Sequence, residues 1–280
     1  MDEDKVDTNV QVPIGIFDSG VGGLSVVKVM HSQLPSLSTI YLGDQAHVPY
    51  GLRSLEQVRA FSEEITRFLI GQGARLIVVA CNAASAAALH YLRQQFPETP
   101  FVGMEPAVKP AAENTRSGVV GVLATQATFQ GELYASVVER FAKDVTILKS
   151  TCPGLVAQIE AGKLDDPDTM AILRDTIEPM LDKGIDTIVL GCTHYPFVIP
   201  QIKRIAGDAV RVIDPAPAIA RQTARLMQER GWLANSEKTG SSVYFTSGDS
   251  GKFEAQASNL LEQVVKAHKV TWGKDLGLPD

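Results

Sequence analysis

The sequence predicts an α/β fold of two similar, doubly wound units related by a pseudo-twofold axis, with the active site in the crevice between them. Three observations predict it. Short β-branched runs alternate with helix-like stretches, the arrangement of βαβ units on parallel sheets. A block of four such runs recurs in order further along the chain. In both copies a cysteine falls directly after the third run.

Taken in order, the runs of the first block are VPIGIF (12–17), STIYL (38–42), ARLIVVA (74–80) and PFVGM (100–104). Those of the second are GVVGVLA (118–124), VTILK (145–149), DTIVLG (186–191) and VRVID (210–214), and SVYFT (242–246) supplies one strand more. Apolar residues at three- and four-residue intervals predict helices over 54–70, 128–141 and 168–182. The repeat is read from four ordered matches. IGIFDS (14–19) reads against VGVLAT (120–125), and TIYLG (39–43) against TILKS (146–150). GARLIVVAC (73–81) reads against GIDTIVLGC (184–192), and EPAVKPA (105–111) against DPAPAIA (214–220), giving offsets of 106, 107, 111 and 109. Each match is weak alone, but a nearly constant offset argues for two copies of one β-α-β-α-β-α-β unit. The expected division is a leader at 1–12, a first domain at 13–108 plus 220–280, and a second at 109–219. Packed face to face, the two units bring their strand ends to one crevice, where open α/β sheets bind ligands.

Composition narrows the class. With 26 Lys+Arg against 32 Asp+Glu, a formal charge of −6 and 45% hydrophobic residues, the 280-residue chain offers no basic surface for nucleic acid. The longest apolar stretch, LIVVACNAASAAAL (76–89), is interrupted by Asn82 and Ser85 and falls short of the roughly 20 residues of a membrane span. The acidic start, MDEDKVDTNV, has no apolar secretory core and reads as a frayed leader of a cytoplasmic protein. Three cysteines, far apart and without a CxxC pair, fit that compartment and indicate neither a disulfide framework nor a metal site.

The chemistry centres on Cys81 and Cys192. Cys81 precedes an alanine-rich helix, whose free N–H groups and positive dipole end are expected to lower its thiol pKa. A lone cysteine at a strand end is ordinarily inert core, but Cys192 occupies the matched site in the second copy and is followed by Thr193 and His194. Opposed thiols suit inversion at a carbon acid: one base takes the α-proton and an acid on the other face returns one, with roles exchanging with substrate handedness. Asp18, Ser19 and the glycines of DSGVGG follow the first strand. They read either as a tight turn or as a phosphate loop, with Asp44 placed where a dinucleotide fold holds a ribose hydroxyl. GVGGLS departs from GxGxxG at Ser25, and Asp18 would oppose a pyrophosphate. Glu160 alone reads as a surface carboxylate, and Cys152 as a small core residue. His31, His47, His90 and His268 have no recognisable partners. Tyr50-Gly51, after Pro49, lies on the crevice side of the second strand.

FDSGVGGLSV (17–26), YLGDQAHVPYGLRS (41–54), ACNAASA (80–86), CPGLVAQIE (152–160), GCTHYPF (191–197), DPAPAIA (214–220) and YFTSGD (244–249), in this order, resemble the glutamate racemases of the aspartate/glutamate racemase family. The resemblance covers nearly the whole chain after residue 12. It implies two α/β domains, usually in a homodimer, and a cofactor-independent enzyme that makes D-glutamate for bacterial peptidoglycan. It further implies that Cys81 and Cys192 are the catalytic thiols, with Asp18 beside the first and His194 and Glu160 beside the second. Asp18, Ser19, Tyr50, Gly51, Asn82, Ala83, Thr193 and His194 fall on substrate-contacting positions. One departure is Ala83, where the family usually has Thr; another is Ala127, where Gly is common. Aspartate or another acidic amino acid is the nearest alternative substrate. An NAD-dependent oxidoreductase and a noncatalytic acidic-amino-acid-binding protein are the alternatives of another class.

Overall fold

The computed structural model describes residues 12–233 and 239–277. All nine expected runs are strands: β1 (Ile14–Asp18), β2 (Thr39–Gly43), β3 (Leu76–Val79), β4 (Phe101–Gly103), β5 (Val119–Ala124), β6 (Thr146–Ser150), β7 (Thr187–Gly191), β8 (Arg211–Ile213) and β9 (Ser242–Thr246). A short tenth, β10 (Ala267–Lys269), reads AHK and carries no apolar pattern that could have announced it. They form two sheets, ordered β10-β9-β2-β1-β3-β4 and β6-β5-β7-β8, with every pairing between them parallel.

The repeat is visible in this order, since β2-β1-β3-β4 and β6-β5-β7-β8 are the same arrangement of corresponding strands. Register agrees for the inner pair: Gly15 lies opposite Ile77 and Gly121 opposite Ile188, the sequence offsets of 106 and 111. The glycine eight residues before each cysteine has a structural cause. Gly73 and Gly184 turn the chain from helix to strand at φ of 95° and 78°, a region that side chains with a Cβ rarely adopt.

Side chains alternate between the faces of each strand, and both faces are covered. Leu76 and Val78 enter one core of the first sheet, Ile77 and Val79 the other. In the second sheet Ile188 and Leu190 pack on one side and Val189 on the other. Both sheets are doubly wound.

The expected helix over 54–70 runs Leu55–Gly71, held at its start by a capping box between Ser54 and Gln57. That over 168–182 runs Pro167–Leu181, and the Asp166 side chain caps it through the Asp168 amide. The expected 128–141 helix is two, Gln126–Gln130 and Glu132–Phe141. Gly131 breaks it where the second unit meets Ala86 of the first; a Cβ there would approach the Ala86 Cβ to 2.5 Å.

Two expected boundaries meet a different structure. The division at 219/220 falls inside the helix Ala216–Glu229, whose Ala216, Ile219, Ala220 and Met227 pack together into the first sheet's core. Residues 1–11 of the expected leader lie outside the described residues, whereas Val12 is packed in that same core. Among the described residues no helix is long and apolar enough to cross a membrane.

Candidate active site

The chain ends of β1, β3 and β7 open toward one small cavity, lined by Ser19, Pro49, Tyr50, Gly51, Cys81, Asn82, Ala83, Thr125, Val156, Cys192, Thr193 and His194. Both repeat cysteines are among them, one from each sheet. Cys81 is the N-cap residue of the helix Asn82–Gln95, in an extended conformation (φ −142°, ψ 120°) that ends the strand and starts the helix. Cys192 follows β7 directly and is also buried. Cys152, the third cysteine, is buried in the second sheet's core.

Each thiol has its own ionisable neighbours. Behind Cys81 stands Asp18, fully buried, whose Oδ2 accepts the Gly23 N–H at 2.7 Å. Behind Cys192 stands a relay: Cys192 Sγ lies 3.7 Å from His194 Nδ1, and His194 Nε2 lies 2.7 Å from Glu160 Oε1. Asp18 and Glu160 do not line the cavity; each is one group removed from it. Asp18 Oδ1 and both side-chain polar atoms of Asn82 are buried without a hydrogen-bond partner. The Asn82 amide, unpartnered at the wall of the cavity, calls for a polar ligand.

Two of the three glycines of the DSGVGG segment lie against this relay. A Cβ on Gly20 would come 2.0 Å from Glu160 Oε1, and one on Gly22 2.4 Å from His194 Nδ1. Tyr41, fully buried, donates from its hydroxyl to the Gly20 carbonyl at 2.6 Å, and Ser25 donates to the Thr193 carbonyl at 2.9 Å. The loop is therefore a bearing surface between the two units, with no room for a pyrophosphate. Asp44 is equally committed: Ser247 and Trp272 donate to its Oδ1, and Tyr50 to its Oδ2, with His47 Nδ1 at 2.9 Å from the latter. No lone pair of Asp44 is left for a ribose hydroxyl.

A family model described as Asp/Glu/Hydantoin racemase matches residues 14–223, well over half of the chain. The chain belongs to this racemase family. A glutamate racemase of Roseiflexus sp. (strain RS-1) is 53% identical over 253 residues, covering 90% of this chain and 92% of its own. Among solved structures, Escherichia coli glutamate racemase in complex with L-glutamate and the activator UDP-MurNAc-Ala superposes with a TM-score of 0.82 at 31% identity, covering 94% of this chain and 99% of its own. That from Francisella tularensis subsp. tularensis SCHU S4, in complex with D-glutamate, gives 0.80 at 28% identity, covering 93% and 98%. The chain is an amino-acid racemase, an isomerase.

Electrostatics differ between the two halves of the candidate site. Burial, reinforced by the Asp18 carboxylate, pushes the Cys81 thiol well above its usual pKa, and the Ala84 amide at the helix start only partly offsets this. The lowering expected from the helix N-terminus is thus overruled, because desolvation of a buried thiolate outweighs one turn of helix dipole. Burial also raises Asp18, against the pull of His194, Cys81 and the Gly23 and Ser19 amides. His194 goes the other way: burial disfavours its charge, yet Cys192 and Glu160 hold its pKa well above the usual imidazole value. For Glu160, burial is outweighed by His194, the Val21 N–H and Gln45, leaving it below the usual carboxylate range.

Of the substrate-contact candidates read from sequence, Ser19, Tyr50, Gly51, Asn82, Ala83, Thr193 and His194 line the cavity, whereas Asp18 lies behind Cys81 and does not. Thr125 was missed. It is the repeat partner of Ser19, at the end of β5 as Ser19 is at the end of β1, so the 106-residue offset contained the signal. The sequence shows Asp44 only as a nucleotide-binding alternative, since two of its donors, Ser247 and Trp272, come from 203 and 228 residues away. His47, assigned no partner, stacks on Phe61 at 4.0 Å between ring centroids and meets Asp44. Among the described residues no group of three or more His, Cys, Asp or Glu could hold a metal ion.

Proposed function

We propose that this racemase interconverts L- and D-glutamate without a cofactor, by a two-base mechanism in which Cys81 and Cys192 act on opposite faces of the α-carbon. The observation that carries this reading is one buried cavity bearing a thiol from each repeat, each backed by its own ionisable partner. One sulfur, as thiolate, takes the α-proton; the electron pair passes to the α-carbon and its carboxylate; the opposed thiol gives its proton to the other face. One S–H bond forms, one breaks, and the site is left with the roles of its sulfurs exchanged. His194, held by Glu160, is placed to exchange a proton with Cys192. Asp18 is placed to exchange a proton with Cys81. The orphaned Asn82 amide and the hydroxyls of Ser19, Thr125 and Thr193 supply donors and acceptors for the substrate's charged groups.

The cavity holds about 20 Å³, room for roughly one water molecule. Admitting an amino acid therefore requires the two domains to part and close again, as the glycine bearing surface allows. We take the chain to pass between domains near 108 and at Asp214–Pro215, so that 220–280 and the whole helix from Ala216 belong with the first. A role in supplying D-glutamate for peptidoglycan, a cytoplasmic setting and a homodimeric state are supported by the resemblance of the motifs.

Circular dichroism of L-glutamate and L-aspartate solutions incubated with purified protein and no added cofactor tests the function. Decay of the glutamate signal to zero, with aspartate far slower, is expected. Preferential decay of aspartate would reassign the substrate, and binding of glutamate without any loss of signal would make the protein a noncatalytic receptor.

A further inference from the structure

The two halves of the site are completed differently. Asp18 takes its hydrogen bond from Gly23, five residues along its own loop, so the Cys81 half is assembled within the first domain. Glu160 ends the helix Leu155–Glu160, which packs on the second sheet through Leu155 and Ile159. Apart from His194, the side-chain partners that hold Glu160 come from the first domain. Val21 N–H donates to its Oε1 at 2.9 Å, Gln45 Nε2 reaches its Oε2 at 3.4 Å, and Gln256 Nε2 donates to its backbone carbonyl.

The two glutamines also fix each other. Thr246 donates its hydroxyl to Gln45 Oε1 at 3.2 Å, and Gln45 Nε2 donates to Gln256 Oε1 at 3.1 Å. With each amide oxygen accepting and each amide nitrogen donating, only one orientation of both side chains satisfies the chain of bonds. The free N–H directions of the pair then point at Glu160.

We propose that Gln45 and Gln256 are positioning residues for racemisation: together they form an interdomain latch that seats Glu160, and through Glu160 and His194 they set how readily Cys192 exchanges a proton. The latch deepens the two-thiol reading and rests on it. Because it bridges the domains, the Cys192 half gains these hydrogen bonds only when they meet, whereas the hydrogen bond that Asp18 accepts from Gly23 lies within the first domain. Cys192 and Glu160 touch His194, with the Asp18 carboxylate close enough to act on it; Tyr41 faces Glu160, and Tyr195, Cys152 and Cys81 face Cys192.

Gln45→Ala and Gln256→Ala test the latch; both side chains are half-buried, and thermal unfolding checks that the variants fold. Each variant loses its bond to Glu160 together with the bond between the two glutamines, and kcat/KM is expected to fall roughly two- to tenfold in each. The deciding readout is the α-deuterium isotope effect on kcat/KM, measured separately with L- and D-glutamate. Slowing only the Cys192 transfer makes that step more rate-limiting for the enantiomer whose proton Cys192 takes, and makes the Cys81 step less so for the other. The isotope effect should therefore rise for one enantiomer and fall for the other. Unchanged kcat/KM, or isotope effects that stay put or move together, would overturn the latch while the wild-type effects keep the two-thiol reading intact. A wild type with no α-deuterium isotope effect and a Cys192→Ala variant that still racemises would remove the reading itself, and the latch with it.

Discussion

Gly22→Ala is the smallest change that separates the two units at the relay. The added Cβ would sit 2.4 Å from His194 Nδ1, 2.6 Å from its Cε1 and 2.7 Å from Thr193 Oγ1. Ordinary contact is about 3.5–4.0 Å, so something must move by roughly 1 Å. His194 cannot give way cheaply: it is buried and held on one side by Glu160 at 2.7 Å and on the other by Cys192. A displacement of that size at a reacting group costs on the order of 10²-fold in rate, and overpacking costs about 1–3 kcal/mol of stability. Steady-state kcat in both directions and thermal unfolding are the assays, with Gly71→Ala as control, since a Cβ there meets nothing within 4 Å. The control should keep wild-type turnover. A folded Gly22→Ala protein with wild-type kcat would refute the claim that the loop bears directly on a catalytic relay.

Replacing either repeat cysteine by alanine should abolish racemisation in both directions, whereas Cys152→Ala should leave most of it, as chiral assay of each variant would reveal. In the fold Glu160 titrates below its usual range and His194 well above its own, so their ion pair stabilises the protein between those two titrations. Denaturant unfolding should find Glu160→Gln most costly between pH 4.5 and 6.5, the ordinary values of the two groups. The cost should shrink on acidification as Glu160 takes a proton, and on alkalinisation as His194 loses one. Ala83→Thr adds a hydroxyl to the cavity wall and should lower KM for glutamate roughly two- to tenfold with little change in kcat, read from steady-state kinetics on both enantiomers.

What the sequence carried best was whatever is written in short-range pattern or in the repeat. Strands buried on both faces must be nearly continuous apolar runs, so β1, β2, β3, β5 and β7 stood out, and the shorter β-branched runs of the more exposed β6, β8 and β9 followed the same alternation with helices. Two copies of one unit place their third-strand cysteines alike, so both walls of the cavity were legible from the offset. Interactions that cross between units were not. The break at Gly131 depends on Ala86, and the placement of β9 and β10 beside β2 depends on sheet edges that no local pattern encodes. Glu160 looked like a surface carboxylate because its partners, Val21, Gln45 and Gln256, are 139, 115 and 96 residues away. The Cys81 pKa was misjudged for a related reason. Helix dipoles can be read from sequence, but the burial that outweighs one comes from the packing of the whole domain.

The opposed placement of Cys81 and Cys192 is tested most directly by following L-glutamate with the protein in D2O and measuring α-deuterium in each enantiomer before equilibrium. Thiols exchange with solvent, so a proton delivered from the far face arrives as deuterium. Early D-glutamate should be labelled at the α-carbon while the remaining L-glutamate stays unlabelled. Equal early labelling of both enantiomers would mean that one group serves both faces, and would contradict the two-thiol site.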